Sequence, residues 1–223
     1  FLAPFHWVEE NPTLALERDL ELLQWLDLLD AEGAITDHGK AARELGLHPR
    51  LAHMVIKGRA LGLEQLAAEL AALLEERDLL GPGSGGDLHE RIRVLRGERG
   101  HRGLDPARLK AVQQAAKRLC RVQFVQELPA ETDVGRVLAQ AYPDRIARRR
   151  PGTTPRYQLS NGKGAVLRDE DPLARQEWLV AADLDGKARE ATIYLAATVD
   201  LVDLEQDLAA HIEEQEEALW DDK

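Results

Sequence analysis

The stretch Tyr142–Ala165, YPDRIARRRPGTTPRYQLSNGKGA, changes both the charge and the periodicity of the chain. In RYQLSNGKGAVL, two short strand-like runs flank Asn161-Gly162, a dipeptide typical of a tight β-hairpin turn. Two further apolar runs, EWLVAADL and ATIYLAATV, follow at a spacing of roughly ten residues. The sequence therefore predicts a small antiparallel barrel or sandwich after Pro143.

The same stretch concentrates positive charge in an acidic chain. The chain has 223 residues and a formal net charge of −11, yet five arginines lie within residues 145–156. Because salt screens charges over roughly 8–10 Å, a local basic groove attracts polyanions whatever the net charge is. The residues expected to bind nucleic acid here are Arg145, Arg148, Arg149, Arg150, Arg156 and Lys163, with Tyr157 as a stacking ring. The alternative is that these arginines pair with acids of the helices or of the acidic tail.

The segment SNGKGA does not have the sequence of a phosphate-binding loop. A phosphate loop has the pattern GxxxxGK[ST] between a strand and a helix, whereas Gly164 follows Lys163 here and strands are predicted on both sides. A hairpin turn accounts for every residue of the segment. No nucleophile-elbow or HExxH motif is present, so we expect no catalysis by this chain alone.

The residues before this stretch have helical periodicity. Recurring leucines predict an amphipathic helix over residues 13–29, after which Thr36 is expected to cap a second helix that Gly46 ends. Pro49 is expected in the first turn of a third helix. Helix, short strand, helix and helix in this order resemble a degenerate winged-helix unit over residues 1–62.

A second helical segment is predicted over residues 63–131, with breaks at GPGSGG and GERGHRG and with Asp87 and Asp105 as caps. Ten basic and two acidic residues lie between Arg91 and Arg121. Arg91 and Arg118 are candidate nucleic-acid contacts, and a solvated helix surface is the alternative. We expect these helices and the basic barrel to form the two walls of a channel that holds a nucleic-acid strand.

Composition excludes several classes of protein. No apolar run approaches the roughly 20 residues of a membrane span, so we expect no membrane partner. Cys120 is the only cysteine, which excludes an internal disulfide and a cysteine-based zinc site, and a reducing cytoplasm fits. The histidines are scattered, and His48 and His53 are expected to be a cap residue and a packed or surface residue. The chain opens without Met inside an apolar segment, so we expect a piece of a longer protein.

The predicted fold class is mainly α with a smaller β part (α+β). The expected divisions are residues 1–62, 63–131 and a barrel over 132–201, followed by an acidic helix or tail over 202–223. Ten acids and one lysine lie between Asp200 and Lys223. This tail could dock on a basic partner or mask the arginines of the barrel.

The order of these pieces resembles the region after the motor domains of bacterial ATP-dependent helicases of the HrpB type, in the DEAH/RHA group of superfamily two. The pieces that carry the resemblance are FLAPFHWVE, LDLLDAEGAITDHGKAARELGLHPRLAHMVIKGRALG, LAALLEERDLL, YPDRIARRR, RYQLSNGKGAVL and DPLARQEWLVAADLDG. They run from Phe1 to about Leu201.

The resemblance implies a degenerate winged helix, a helical ratchet bundle and an OB-like barrel that guide single-stranded RNA. By this resemblance, the barrel faces the single-stranded RNA and contains Arg145, Arg148, Arg149, Arg156 and Lys163. ATP and Mg belong to two RecA-like motor domains, which this sequence lacks, so the chain alone should not hydrolyse ATP. These motor domains are the expected partners, with RNA or DNA as the bound strand.

Two other functions remain open at this point. A stand-alone winged-helix regulator of duplex DNA requires a basic recognition helix, but TDHGKAAREL carries Lys40 and Arg43 against Asp37 and Glu44. A protein-interaction module would use the acidic tail.

Overall fold

The computed structural model describes residues 12–81, 83–152, 155–185 and 190–212. FLAPFHWVE, most of the predicted turn DGKARE and the end of the acidic tail lie outside these residues. The chain divides into two compact units, Phe1–Gly81 with Arg91–Glu127 and Pro82–Glu90 with Leu128–Lys223. In the described part, no helix is both long and apolar enough to cross a membrane.

The described residues include eight α-helices. They are α1 Pro12–Trp25, α2 Asp37–Glu44, α3 Pro49–Ala60, α4 Glu64–Glu75, α5 Leu88–Leu95, α6 Pro106–Leu119, α7 Glu131–Ala141 and α8 Leu201–Asp207. Thr36 Oγ1 accepts a hydrogen bond from Gly39 N at 2.9 Å, and Asp105 Oδ1 accepts one from Ala107 N at 2.9 Å. The predicted caps of α2 and α6 are therefore confirmed.

Helix α1 is shorter than predicted, because it ends at Trp25 instead of residue 29. Asp27 has φ 57°, in the left-handed region, which stops the helix. Leu28 is buried all the same, and Leu29 forms an isolated antiparallel bridge with Ile35. The leucine spacing correctly predicted that Leu28 is a core residue. Leu28 and Leu29 lie in a turn and an isolated bridge after the helix and not in the helix itself.

In the first unit, α4 is buried along most of its length and packs against α3 and α6. Helices α3 and α4 approach closely at Gly58, where an added Cβ would lie 2.4 Å from the Cβ of Ala67. This spacing leaves no room for a larger residue at Gly58. The helical segment predicted from its leucine stripe is therefore the centre of this unit.

In the second unit, the described strands close into a five-stranded barrel with the order β1-β2-β3-β5-β4. The strands are β1 Ile146–Arg149, β2 Arg156–Leu159, β3 Gly164–Val166, β4 Trp178–Leu184 and β5 Glu190–Thr198. Neighbouring strands are antiparallel except β3 and β5, which are parallel. The predicted hairpin is confirmed, since β2 and β3 pair around Gly162, which has φ 82°.

Helix α7 packs on β5 outside this barrel. The backbones meet at Gly135, where an added Cβ would lie 2.0 Å from the carbonyl oxygen of Thr198 and 2.8 Å from Cβ of Val199. Only glycine allows this approach, since the obstacle is backbone. This contact sets the distance between α7 and the barrel.

Residues 83–90 join the barrel unit, which the sequence analysis did not anticipate. Gly86 N donates to Asp171 Oδ2 at 2.7 Å, and Ala196 N donates to Gly86 O at 2.8 Å. Asp87 Oδ1 accepts from His89 N at 2.9 Å at the start of α5, as predicted for a cap. The predicted break at GPGSGG thus leads into a segment docked on β5.

Replacing Gly135 with alanine tests the contact between α7 and β5. We expect Gly135→Ala to lower the free energy of unfolding by roughly 1–3 kcal/mol, because the added methyl forces the two backbones apart. Chemical denaturation measures the change. Gly100→Ala is the matched control, since an added Cβ there meets nothing within 4 Å. Equal stability of both variants would contradict the packing argument.

A histidine pair joins α2 and α3 in the first unit. His38 Nε2 and His53 Nδ1 lie 2.8 Å apart, with the rings edge to face. His53 is buried and His48 Nδ1 accepts from Arg50 N at the start of α3, which confirms the predicted packed and cap roles. Burial lowers the pKa of His38, the positive charge of Lys57 lowers it further, and Asp27 opposes the shift.

This pair predicts a loss of stability on acidification. A histidine whose folded pKa lies below the unfolded value of about 6.5 binds its proton more readily in the unfolded chain, so stability falls below that pH. We expect Tm to decrease between pH 7.5 and pH 5.5, and His38→Gln to reduce this decrease. Thermal unfolding followed by circular dichroism at both pH values measures it. An identical pH dependence in His38→Gln would argue against the assignment.

Candidate nucleic-acid interface

Three arginines lie on the outward side of β1 and β2. In the antiparallel register, Arg148 faces Gln158, and Arg150 N donates to Arg156 O at 2.9 Å. Side chains alternate between the two faces of a strand, so Arg148, Arg150 and Arg156 share a face with Gln158. All four are exposed. We name Arg148, Arg150 and Arg156 the outer arginine face.

Two acidic residues form weak ion pairs with arginines of this face. Arg148 lies 4.0 Å from Glu177, and Arg156 Nε lies 3.6 Å from Glu190. Both arginine side chains are more than half exposed, at 64% and 56%. Exposed ion pairs of this kind contribute about 0–1 kcal/mol, so a phosphate can replace the carboxylate at little cost.

Arg148 is also placed by an aromatic ring. Its guanidinium lies 5.3 Å from the centre of the half-buried Trp178 ring, and the two residues are paired in register between β1 and β4. A guanidinium over an indole is a favourable cation–π contact. Trp178 therefore presents an aromatic ring beside the outer arginine face. The sequence analysis missed Trp178, because only the strand register brings it next to Arg148.

Tyr157, the ring expected to stack on bases, is in the barrel interior instead. Its exposure is 0%, and its Oη lies 2.9 Å from Leu173 O and 3.0 Å from Gln176 O, to which it donates. Burial raises its pKa to about 12. The prediction of a stacking role is wrong, because strand alternation turns Tyr157 inward when its neighbour Arg156 points outward.

Arg145 and Arg149 are held apart from the outer arginine face. Arg145 Nη1 donates to Ala182 O at 2.8 Å, and its guanidinium lies 4.9 Å from the Tyr142 ring. Arg149 pairs with Tyr157 in register and is half-buried. Arg145 therefore anchors the start of β1 to β4, and Arg149 has the opposite strand parity from Arg148.

Lys163 lies exposed in the turn between β2 and β3. Its backbone N donates to Asn161 Oδ1 at 3.1 Å, and Gln158 Nε2 donates to Gly162 O at 2.6 Å. These bonds close a hairpin between two antiparallel strands. A phosphate loop of the GxxxxGK[ST] type leads from a strand into a helix, so this turn between two strands does not have the form of such a loop.

Arg91 is a structural residue in the first unit. Its exposure is 2%, and its Nη2 and Nε donate to Asp78 at 2.6 and 3.1 Å. The prediction of a nucleic-acid contact at Arg91 is therefore wrong, because the buried Arg91 side chain pairs with the partly exposed Asp78. Arg118 is exposed on α6, which is compatible with the predicted contact and equally with the alternative of a solvated helix surface.

The described part of the acidic tail pairs with α7. Arg136 Nε donates to Asp207 Oδ2 at 2.6 Å, and its Nη1 lies 3.8 Å from Asp203. The hydrogen bond to Asp207 raises the pKa of Arg136 above its usual value. The sequence analysis considered the arginines of the barrel as partners for the tail and missed Arg136. Among the residues described, no group of three or more metal-ligating side chains is assembled.

The buried position of Tyr157 generates a prediction that separates fold from binding. We expect Tyr157→Phe to lower the free energy of unfolding by about 0.5–1.5 kcal/mol, because the single hydroxyl proton shared by the carbonyl groups of Leu173 and Gln176 is lost inside the barrel. Its affinity for single-stranded RNA should be unchanged, because the ring does not reach solvent. Denaturation and fluorescence anisotropy measure the two quantities. Tyr194→Phe, at a ring that is 45% exposed, is the control. Unchanged stability would contradict the buried hydrogen bonds of the Tyr157 hydroxyl, and weaker binding would show that this hydroxyl contacts the bound strand.

A comparison with known proteins identifies a relative of this chain. No protein-family model matches the chain. The chain is 35% identical over 223 residues to the ATP-dependent RNA helicase HrpB of Escherichia coli (strain K12), covering 99% of this chain and 25% of that protein. The chain thus spans about a quarter of the length of this relative.

Two solved structures are similar. The crystal structure of the E. coli DExH-box NTPase HrpB has a TM-score of 0.72 and 36% identity, covering 92% of this chain and 23% of that one. The structure of the Escherichia coli DEAH/RHA helicase HrpB has a TM-score of 0.66 and 32% identity, covering 88% and 23%. The resemblance drawn from the quoted motifs is confirmed, and the chain is a homologue of the C-terminal part of HrpB-type helicases.

Proposed function

We propose that this chain is the nucleic-acid-guiding region of an ATP-dependent RNA helicase and grips single-stranded RNA without reading its sequence. The observation that carries the proposal is the outer arginine face, in a homologue of the C-terminal part of HrpB. Arginine contacts to phosphates position a strand but do not discriminate between bases. The same face would accept single-stranded DNA.

The topology of the barrel supports this proposal. The closed five-stranded order β1-β2-β3-β5-β4 with a parallel β3–β5 pair is compatible with the proposed OB-like barrel. Such barrels bind oligonucleotides on the face of strands 2 and 3 and on the loop between strands 1 and 2. Arg156 lies on β2, Lys163 joins β2 to β3, and Arg150 follows β1.

The electrostatic argument is local. The net charge of −11 opposes nucleic-acid binding by the chain as a whole. Exposed charges farther apart than about 8–10 Å are largely screened at physiological salt. A phosphate near the outer arginine face therefore senses mainly three guanidinium groups and the weakly held Glu177 and Glu190. Trp178 adds an aromatic surface for an unstacked base.

The remaining parts of the proposal follow the relationship to HrpB. Residues 1–62 would be a degenerate winged helix and residues 63–131 a ratchet-like bundle, ahead of the barrel over 132–201. RecA-like motor domains in the same protein would bind ATP and Mg and hydrolyse ATP. The hairpin at Lys163 does not have the form of a nucleotide-binding loop. The proposed contribution of this chain's own residues is to hold the RNA strand. A cytoplasmic location is part of this proposal.

The alternative of a duplex-DNA regulator has less support. Helix α2 carries Lys40 and Arg43 together with Asp37 and Glu44, so its formal charge is balanced, and Lys40 Nζ lies 2.8 Å from Asp37 Oδ1. Such a helix lacks the basic surface that major-groove binding requires. A stronger affinity for duplex DNA than for single strands would favour this alternative.

Reversing charge on the outer arginine face tests the proposal. We expect Arg148→Glu/Arg150→Glu to weaken binding of single-stranded RNA at least tenfold and to reduce the salt dependence. Each lost phosphate contact lowers the slope of log affinity against log salt by about 0.7. Fluorescence anisotropy at two salt concentrations measures both quantities.

The matched control is Arg43→Glu/Arg77→Glu, which changes the net charge equally at two exposed residues of the first unit. Its affinity should fall far less than that of Arg148→Glu/Arg150→Glu. Equal losses of affinity in the two variants would show that the effect comes from net charge alone and would overturn the proposal.

A further inference from the structure

We propose that a cavity in the first unit accepts one unstacked nucleobase of the bound strand. The cavity has a volume of about 300 Å³ and lies among α4, α6, the end of α5 and residues 124–126. This volume is at the lower end of the range for small-ligand pockets, roughly 300–1,000 Å³. The inference rests on the proposed function, because it assumes that the chain binds a single strand, and it concerns residues far from the barrel in sequence.

The wall of the cavity after α6 is an extended segment held by a helix side chain. Gln65 of α4 accepts from Val125 N and donates to Val125 O, both at 2.8 Å. Arg96 donates to the carbonyl oxygen of Glu127. The segment is therefore fixed at its backbone, and Phe124 and Gln126 line the cavity.

The charges inside the cavity favour an anionic ligand slightly. Glu69 and Arg96 form a buried ion pair at 2.8 Å, with side-chain exposures of 3% and 6%. Gln65 Nε2 also donates to Glu69 at 2.8 Å. Glu69 is thereby neutralised, and Lys117 at the exposed rim leaves a net positive charge. A nucleotide is not repelled, because its phosphate would lie at the rim.

The other lining groups match the chemistry of a nucleobase. Phe124 supplies an aromatic ring, and unstacked bases bind by stacking on such rings and by hydrogen bonds to their edges. Gln113 Nε2 donates to Leu95 O at 2.9 Å, which leaves Gln113 Oε1 as an acceptor. Gln126 is exposed and offers a second amide. Amides read base edges, whereas a purely apolar ligand would leave them unpaired.

The helix that lines one side of the cavity carries exposed basic residues. Lys117 lines the cavity itself, Lys110 and Arg118 are exposed on the same helix α6, and Arg121 is exposed just after it. Among the described residues, these four side chains form no ion pair, unlike Arg91 and Arg96. Such a row is suited to the phosphates that flank an inserted base.

The experiment compares two strands of equal length and charge, an oligouridine and an abasic strand, on the full chain. We expect Phe124→Ala to weaken oligouridine binding roughly tenfold through the loss of one base stack and to leave abasic-strand binding unchanged. Lys117→Gln should weaken both strands equally, by a few-fold, because its contact is with phosphate. Lys57→Gln, at an exposed lysine of α3, is the control and should change neither.

A second variant keeps the test decisive if Phe124→Ala does not fold. Gln126→Trp, at an exposed position, should fill the cavity and weaken oligouridine binding alone. Equal effects of Phe124→Ala on both strands, or no effect on either, would overturn the inference. If the parent chain binds neither strand, the proposed function fails. If it binds both equally well and Arg148→Glu/Arg150→Glu abolishes binding, only the nucleobase cavity is refuted.

Discussion

The second unit depends on closing five strands into a barrel around one packed interior. That interior combines alanines such as Ala147 and Ala165 with leucines and Ile193, and Tyr157 is the largest side chain inside it. Because Tyr157 must point inward and bond the carbonyl groups of Leu173 and Gln176, Arg156 must point outward. The outer arginine face is therefore a geometric consequence of barrel closure. The alternation of side chains along β1 and β2 specifies both the core and the proposed binding surface.

The first unit sorts its basic residues by burial. Arg91 is buried and pairs with the partly exposed Asp78, whereas Arg96 and Glu69 form an ion pair that is buried on both sides. Removing one member of the Arg96–Glu69 pair would leave an uncompensated buried charge, which is strongly destabilising. Lys110, Lys117 and Arg118 remain in water. A single basic stretch in the sequence thus has two purposes, structural and electrostatic. A charge count alone cannot separate them, because the acids Asp78 and Glu69 are distant in sequence.

Local signals were predictable from the sequence, and non-local ones were not. Thr36, Asp105 and the Asn161-Gly162 turn act over two or three residues, so composition and spacing identified them. The inward position of Tyr157 requires the strand phase, and the ion pair of Arg91 requires the packing of a distant turn. Trp178 and Arg136 were missed for the same reason, since their partners Arg148 and Asp207 are brought close only by the fold.

The bond between Gln65 and Val125 involves only the backbone of Val125. An amide that pairs with a peptide group places no requirement on the side chains of the segment it holds. The path of residues 122–126 can therefore persist while their side chains change. Val122 and Val125, which are 51% and 56% exposed, are already free of core packing. Conservation of Phe124 and Gln126 among relatives would then record selection by a ligand, because the backbone bonds do not require these side chains.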